Sequence, residues 1–507
     1  MERYDIAIVG AGITGCAIAR QLSRYDISLC VLESGNDVAL GASKANGGLV
    51  HAGYDPAPHT VKATVNARGC ELYGTWSREL GFTFHRTGSL VVGFTSDDRE
   101  RVMALYRNGI ANGVDKLPAA PGHAEELRFR IIDDAEDLHE LEPRVSDRAT
   151  CGLWCAATGV VDPFEVAIAA AENAAANGVG FLMGTRVRSI HQANRGFEIE
   201  TDTGSVGARY LINAAGSGCA DISRMAGGEE LELDWRQGNI VILDKEPRPL
   251  LPLYPVPTPV SKGVIVAGTV HGNTVITATA RLREPGDDDT YAQDVEELLE
   301  GARRLVPDLD TKRVVRPFAG GRAVIKGMND FLICRSRLQP RLFQAAGMQS
   351  PGVASAPAVA ERMERLLREA GIELRERASW NPIRKAPVDF DLAEPEEQDR
   401  LIADDPAWGR IFCRCETVPE AEVVAAIRRV PGARSVEGVK RRCRAGMGRC
   451  QGGFCQSRVV AVLARELGCN PSEVPLEDVG SPLLYGTVKG DARDSIAHRE
   501  QGADFHG

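Results

Sequence analysis

Gly10-Ala-Gly12-Ile-Thr-Gly15 stands between a short apolar run, Asp5-Ile-Ala-Ile-Val9, and a segment with helical spacing, Ala17 to Leu22. A second apolar run, Ser28-Leu-Cys-Val-Leu32, follows and ends on Glu33. The order predicts a strand–helix–strand unit with a glycine turn at its first corner. The three glycines do different things. Gly10 makes the tight turn, Gly12 lets backbone approach a pyrophosphate, and Gly15 lets helix and strand pack closely. The helix N-terminus, with Ile13 and Thr14 in its first turn, offers N–H groups to phosphate charge. Glu33 accepts hydrogen bonds from ribose hydroxyls and would repel a 2′-phosphate. In this full context the motif predicts a dinucleotide site.

The chain has 507 residues, enough for two to four domains. Hydrophobic residues at 43% and charged residues at 26% exclude a disordered or fibrous protein. A net charge of −10 argues against chain-wide binding to a polyanion. No apolar run reaches the ~18–20 residues that span a bilayer. Met1-Glu2-Arg3-Tyr4-Asp5 runs directly into the first strand pattern without a signal-peptide core, so a cytoplasmic location is expected. Thirteen cysteines is an odd number, and clustered ones are read as metal ligands rather than disulfides. Five of them fall between Cys413 and Cys455. The stretch 376–408, rich in Pro, Asp and Glu without sustained period, reads as a linker between a large unit and a small C-terminal one.

Further along, an Ala-rich helix between Phe164 and Asn177 is closed by Gly178, and strands are expected at Val179–Met183, Gly196–Thr201 and Tyr210–Asn213. Residues from about 250 to 333, rich in Val, Thr and Gly, read as a mixed sheet. Two features favour FAD over NAD. Tyr210-Leu-Ile-Asn-Ala-Ala-Gly216 is a strand ending in small residues, suited to a second backbone pass by the cofactor. Ser350-Pro-Gly352-Val-Ala-Ser-Ala-Pro357 opens a helix with a glycine, suited to aiming N–H groups at an anionic ring edge.

Several ordered motifs then carry a resemblance: Gly41-Ala-Ser-Lys-Ala-Asn-Gly-Gly-Leu-Val-His51-Ala-Gly-Tyr-Asp, Arg86-Thr-Gly-Ser-Leu-Val-Val, Thr158-Gly-Val-Val-Asp-Pro, His271-Gly-Asn273 and Phe318-Ala-Gly-Gly-Arg322. Over residues 1–375 the chain resembles the FAD-dependent oxidoreductases of the D-amino-acid oxidase superfamily, in the branch of type 2 glycerol-3-phosphate oxidases and dehydrogenases and L-2-hydroxyglutarate oxidases. The resemblance implies an α/β fold: a Rossmann-like FAD-binding domain in three pieces (1–80, 155–225, 340–375) interleaved with a mixed-sheet substrate domain (81–154, 226–339). It also implies cofactor contacts from Ser34, Ser43, Asn46, Gly47, Val187, Ala215, Gly216, Gly352 and Val353, besides Gly10–Gly15 and Glu33.

Oxidising an alcohol with a flavin requires a base for the hydroxyl proton and cations for an anionic substrate. In the branch that the chain resembles, the histidine matching His51 faces the flavin and serves as base, which suits an unperturbed imidazole pKa of about 6.5. His271, in a Gly-Asn turn, is the second candidate, as a hydrogen-bonding group near substrate. Arg322 is the first choice for the substrate clamp, because a guanidinium matches carboxylate or phosphate in a bidentate way. Lys262 and Arg236 are weaker candidates for the same anion.

The C-terminal cysteines read Cys413-x-Cys415, thirty-four intervening residues, then Cys450-x4-Cys455. The Cys-x-Cys spacing counts against a zinc knuckle, and four thiolates can instead hold a [2Fe–2S] cluster. Residues 409–490 resemble the bacterioferritin-associated-ferredoxin-like [2Fe–2S] domain of anaerobic-type glycerol-3-phosphate dehydrogenases, with Cys443 as a spare thiol and 491–507 as a tail. Lys440, Arg441, Arg442, Arg444 and Arg449 flank the second pair, where a basic surface at Arg441, Arg442 and Arg444 is expected to meet a partner. No aromatic interleaving supports nucleic-acid binding there. Cys151-x3-Cys155 lacks a partner pair and reads as two core thiols.

These readings imply an FAD-dependent dehydrogenase of sn-glycerol 3-phosphate. Its electrons would leave through a [2Fe–2S] centre to a flavoprotein or quinone-linked partner subunit, with peripheral membrane association open. The alternatives are a dehydrogenase of a 2-hydroxy acid or of an amino or imino acid, and, in another class, a flavin or metal redox sensor without turnover.

Overall fold

The computed structural model describes residues 1–121, 127–245, 248–258 and 262–486. The chain divides into two compact units, one of residues 1–34 and 38–386, the other of 35–37 and 387–507.

The first unit holds two large sheets. In one, the strands run in the spatial order Val187–Ala193, Gly196–Thr201, Gly204–Asn213, Glu2–Val9, Leu29–Leu32 and Gly180–Leu182, with the last four parallel. Leu342–Ala346 also pairs parallel with Gly204–Asn213. The central strands alternate between two cores. Ile6, Ile8 and Val31 pack with Ile18, Leu22, Ile168, Val359 and Met363, whereas Ala7, Val9, Cys30 and Leu32 pack with Phe197, Ile199, Leu211 and Ile222. A parallel sheet covered on both faces needs apolar residues at every position, which is why the run Ile-Ala-Ile-Val is unbroken. Three helices, Ile13–Leu22, Pro163–Ala176 and Gly352–Glu369, contribute to the first core.

The second sheet is mixed. Its order is Arg281–Arg283, Leu233–Leu243, Thr274–Thr277, Ile265–Gly268, Leu253–Pro255, Ser89–Gly93, Cys151–Cys155 and Phe129–Ile132, with Val314–Ile325 laid along Leu233–Leu243. Helix Ala292–Leu305 buries Leu298, Ala302 and Leu305 in the core of this sheet. Cys151 and Cys155 lie inside one buried strand. One piece falls differently from the sequence division. Leu332–Arg335, expected with the substrate domain, forms a hairpin with Leu342–Ala346 and so joins the dinucleotide sheet.

The stretch 376–408 is not a linker without structure. Arg377 N donates to Arg24 O (2.8 Å) and Arg384 Nε to Glu172 Oε2 (2.7 Å), tying 376–386 into the first unit. From residue 387 onward the chain belongs to the second unit, where Phe390 N donates to Glu422 Oε1 (2.8 Å), the Phe390 and Trp408 rings stack, and Pro395–Asp404 is helical. Side-chain hydrogen bonds and prolines, not apolar periodicity, organise this segment, so pattern reading has little to register. Among its described residues the second unit also holds a small antiparallel pair, Ile411–Cys413 with Val418–Pro419, and three helices, Glu420–Arg428, Val436–Cys443 and Gln456–Leu467, around Val423, Ile427, Val439, Val459 and Leu463. The tail 491–507, with 487–490, lies outside the described residues. Among the described residues no helix is long and apolar enough to cross a membrane.

Candidate functional site

Backbone geometry explains the glycines of the first corner. Gly10 has φ +103°, and a Cβ there would sit 2.9 Å from Ala215 Cα. At Gly15 a Cβ would overlap the carbonyl oxygen of Gly10, so helix Ile13–Leu22 lies on its strand only because that atom is missing. Gly12 caps the helix with no side-chain hydrogen bond, and a Cβ there would meet only Ser43 Oγ at 3.2 Å. Thr14 is buried in the first turn.

Neighbouring groups close around this corner. Ala11 N donates to Glu33 Oε2 (2.7 Å), Ile13 N to Ser43 Oγ (2.9 Å), and Ser34 Oγ to Glu33 Oε1 (3.2 Å). Asn46 Nδ2 donates to Ser43 O (2.9 Å) and Gly48 N to Asn46 Oδ1 (3.0 Å), fixing the loop that carries Gly47, itself packed against Thr277. Val187 and Ala215 pack on one cluster with Leu32 and Leu182, and Gly216, with φ +57°, begins the short turn after the strand Gly204–Asn213. Gly352 and Val353 open helix Gly352–Glu369, where Val353 O accepts from Tyr73 OH (2.6 Å). Immediately before that helix, Gln349 is buried and its Nε2 has no hydrogen-bond partner. An orphaned buried donor costs free energy unless a ligand satisfies it. A glycine-capped helix, an acidic residue after the second strand and an unmet amide donor fit FAD, although sequence reading passed over Gln349.

A pocket in the first unit is lined by His51, Tyr54, Asp55, Asn66, Tyr254 and Lys262, among others. His51 Nδ1 lies 3.2 Å from the Tyr254 hydroxyl, and Asn66 Nδ2 donates to His51 O (2.6 Å). Burial, and then the charge of Lys262, holds the imidazole pKa well below 6.5, so His51 is neutral near neutrality. Burial raises the Tyr254 phenol well above 10, which keeps its proton in place. Tyr254 escaped sequence reading because 203 positions separate it from His51.

Of the candidate cations Lys262 lines this cavity, whereas Arg322 and Arg236 are not in its lining, and their pairing is unequal. Lys262 Nζ is 3.1 Å from Asp55 Oδ2 and is therefore partly neutralised. Arg322 stands directly opposite Arg236 in the ladder of Leu233–Leu243 with Val314–Ile325. Burial, then repulsion from Arg236, lowers the Arg322 guanidinium to about 10, and it remains charged near neutrality. Neither arginine has an acidic partner among the described residues. Like charges directly opposite in a ladder destabilise it unless an anion sits between them. Lys62, close enough to feel both Lys262 and Arg236, is a further cation absent from the sequence reading.

His271 is placed elsewhere. Its Nε2 is 3.1 Å from Asp162 Oδ2, and the other Asp162 oxygen accepts from Glu165 N at the start of helix Pro163–Ala176. It does not line the cavity around His51. A carboxylate that caps a helix and holds the ring at its other oxygen gives His271 a fixed structural partner.

In the second unit the thiols come as two pairs. Cys415 Sγ is 3.8 Å from Cys450 Sγ, and Cys413 is hydrogen-bonded to Cys455. Among the described residues, no three or more metal-ligating side chains converge on one point. A binuclear cluster takes two thiolates on each iron, and two neighbouring pairs whose thiols also feel one another's charge fit that pattern. The Cys455 contact, together with backbone N–H groups of Gly446, Glu416 and Cys415, lowers the Cys413 thiol pKa to about 6. Gly446 and Gly452 have φ +96° and +88°, conformations that fold the backbone around the sulfurs. Cys443 remains in the core, its Sγ donating to Val439 O (3.3 Å).

The basic surface expected at Arg441, Arg442 and Arg444 is not formed by those residues. Arg441 pairs with Glu477 (2.8 Å), Arg442 with Asp37 (2.6 Å) and Arg444 with Glu416 (2.9 Å), all within the second unit. The Arg441 and Arg442 side chains are only 4% and 3% exposed. Buried guanidinium groups require carboxylate partners, and Asp37 lies 405 positions from Arg442, beyond the reach of local pattern.

Comparison with known proteins agrees with both units. Residues 5–366 match the FAD dependent oxidoreductase family, and 411–465 match the BFD-like [2Fe-2S] binding domain. A glycerol 3-phosphate dehydrogenase of Caloramator mitchellensis is 36% identical, over 97% of this chain and 100% of its own. A glycerol 3-phosphate oxidase of Mycoplasma pneumoniae is 30% identical over 75% of this chain and 98% of its own. The dithionite-reduced L-alpha-glycerophosphate oxidase of Mycoplasma pneumoniae with FAD bound superposes with a TM-score of 0.71, at 29% identity, covering 76% of this chain and 100% of that one.

Proposed function

The chain belongs to the FAD dependent oxidoreductase family and carries a BFD-like [2Fe-2S] binding domain, and from that premise we propose that it is a dehydrogenase of sn-glycerol 3-phosphate, with dihydroxyacetone phosphate as product. The observation that carries this reading is a buried, neutral His51 in a cavity lined by Lys262, in a unit whose mixed sheet sets Arg322 opposite Arg236 with no acidic partner for either among the described residues. Adjacent guanidinium groups suit a dianionic phosphate, which accepts from both at once, better than a single carboxylate, which one bidentate arginine satisfies.

His51 acts as the base. Its Nδ1 is engaged with the Tyr254 hydroxyl; the role of base requires the tautomer in which Nδ1–H donates to that oxygen, which leaves Nε2 to take the proton of the substrate hydroxyl. Arg322 and Arg236 hold the phosphate, and Lys262, tied to Asp55, adds positive potential at the cavity wall. FAD, when bound, supplies the acceptor for the hydrogen leaving carbon with its electron pair, and a [2Fe–2S] cluster passes electrons on singly. Gly12, Glu33, Ser43 and Gln349 would hold the first group, and Cys413, Cys415, Cys450 and Cys455 the second. Electrons then leave through the second unit to an acceptor other than oxygen.

Anaerobic mixing of the FAD-loaded protein with sn-glycerol 3-phosphate is expected to bleach the flavin absorbance faster than L-2-hydroxyglutarate or amino acids do. A faster response to a hydroxy acid would reassign the substrate, and no response to any donor would favour a sensor. Cys413→Ser or Cys450→Ser is expected to remove the iron and the electron paramagnetic resonance signal of the reduced protein, while bleaching by substrate persists. Stoichiometric zinc in place of iron would end the electron-exit reading.

A further inference from the structure

The four thiols of the second unit differ sharply in accessibility. Cys413 and Cys455 are each 1% exposed, whereas Cys415 and Cys450, the pair 3.8 Å apart, are at the surface. Beside the exposed pair stands Phe454, 44% exposed. Two arginines lie over its ring, Arg414 at 4.7 Å and Arg458 at 5.1 Å from the centroid. Arg449, next to Cys450, is exposed as well. Neither Arg414 nor Arg458 has an acidic partner among the described residues; the one hydrogen bond of Arg458 is donated to Ile411 O (3.3 Å). This is the reverse of Arg441, Arg442 and Arg444, which are turned onto carboxylates. An aromatic ring at the surface, held by unpaired guanidinium groups, combines an apolar anchor with a cationic rim, as protein-recognition sites do.

We propose that the face formed by Cys415, Cys450 and Phe454, rimmed by Arg414, Arg449 and Arg458, docks a small acidic protein that carries one electron. The inference rests on the proposed cluster at the four cysteines, and it names the partner that takes its electrons. Oxidation of one substrate releases two electrons and two protons, so two carriers dock in turn and each leaves with one electron. Charge sets the partner's sign: a chain of net charge −10 that keeps Arg414 and Arg458 without acidic partners among the described residues beside its exposed thiols favours an acidic surface there. An anionic membrane fits less well, because one phenyl ring is far smaller than the apolar face of a membrane-binding helix.

The test uses the full-length protein loaded with FAD and iron, and an acidic plant-type [2Fe–2S] ferredoxin as probe. Binding is read by titration calorimetry at low and at physiological salt. The wild type is expected to bind one ferredoxin, more weakly as salt rises. Arg414→Glu with Arg458→Glu is expected to weaken binding at least tenfold, and Phe454→Ala about fivefold, in the range of interface anchors. Iron content and the resonance signal of the reduced cluster must stay unchanged in these variants, which separates lost docking from lost cluster. Failure of the wild type to bind, equal binding by the charge-reversed variant, or sedimentation with phosphatidylglycerol vesicles in preference to ferredoxin would each overturn the proposal. A protein that takes up no iron would overturn the underlying electron-exit reading itself.

Discussion

Arginines are buried in both units, but on opposite terms. In the first unit, Arg322 and Arg236 face each other across a ladder with no carboxylate to share. In the second, the Arg441 and Arg442 side chains are buried, and each meets Glu477 or Asp37 at hydrogen-bond distance. Burying an unpaired charge is costly, and a fold tolerates it where a ligand supplies the missing counter-charge. The pairing therefore separates a guanidinium kept for a ligand from one spent on holding helices together. It separates the two better than position in sequence does, since the second set lies in a more conspicuous basic run.

The strongest way to break this comparison is to remove the group that the unpaired charges serve. His51→Ala is expected to retain FAD and to lose at least ~100-fold in the rate of flavin reduction by substrate, the usual lower bound for a general base. Stopped-flow rates near wild type would take His51 out of the chemistry and leave the arginines holding something else.

Next in size is a stability effect confined to the paired set. Arg442→Ala leaves Asp37, whose side chain is 0% exposed, without that partner, and is expected to destabilise the second unit by about 3–5 kcal/mol. Melting followed by a probe in that unit should drop, while KM for the substrate stays at the wild-type value. A shifted KM would mean that the paired arginines are not merely structural. Arg322→Ala is the converse. It should raise KM by about ten- to a hundredfold, through loss of charged hydrogen bonds, with no loss of melting temperature, because the repulsion from Arg236 disappears with it. A lowered melting point with unchanged KM would show that Arg322 has a structural partner in solution.

The two regions were also unequally legible. The corner at Gly10, Gly12 and Gly15 could be read because its geometry is local: one φ of +103° and two close backbone approaches occur within six consecutive positions. The fold class followed from the same segment and from the unbroken apolar strand. Spacing alone suggested the cysteine set, and the structure adds that it divides into an exposed pair and a buried pair. Pairing was not legible. Tyr254 reaches His51 across 203 positions and Asp37 reaches Arg442 across 405, and no periodicity encodes a contact between distant segments. His271 shows the same limit. Its Gly-Asn turn suggested a ligand loop, and the partner that holds its ring, Asp162, lies 109 positions away and caps a helix.

The smallest expected effect sharpens the comparison most, because it titrates one cation of the first unit. Lys62 is 8% exposed, with Nζ 5.4 Å from the centre of the Phe331 ring and 3.4 Å from Asn329 Oδ1. Burial, then the charges of Lys262 and Arg236, lowers its amine to about 8, against the pull of Asp330 and Asp55 in the other direction. Lys62 is thus cationic at pH 7 and loses that charge as pH rises through about 8. A substrate phosphate is already dianionic above its second pKa of about 6, so the substrate does not titrate in this window. His51 is neutral throughout it and contributes no slope to the chemical step. The expected outcome is a KM for sn-glycerol 3-phosphate that rises on the order of threefold between pH 7 and 9, as for one screened charge at a distance, while kcat stays level. Lys62→Met should raise KM at pH 7 and flatten the profile, and glycerol, which lacks the phosphate, should show no slope with either protein. A flat wild-type KM through pH 9 would mean that Lys62 does not act on the bound anion, leaving Arg322 and Arg236 as the charges that hold it.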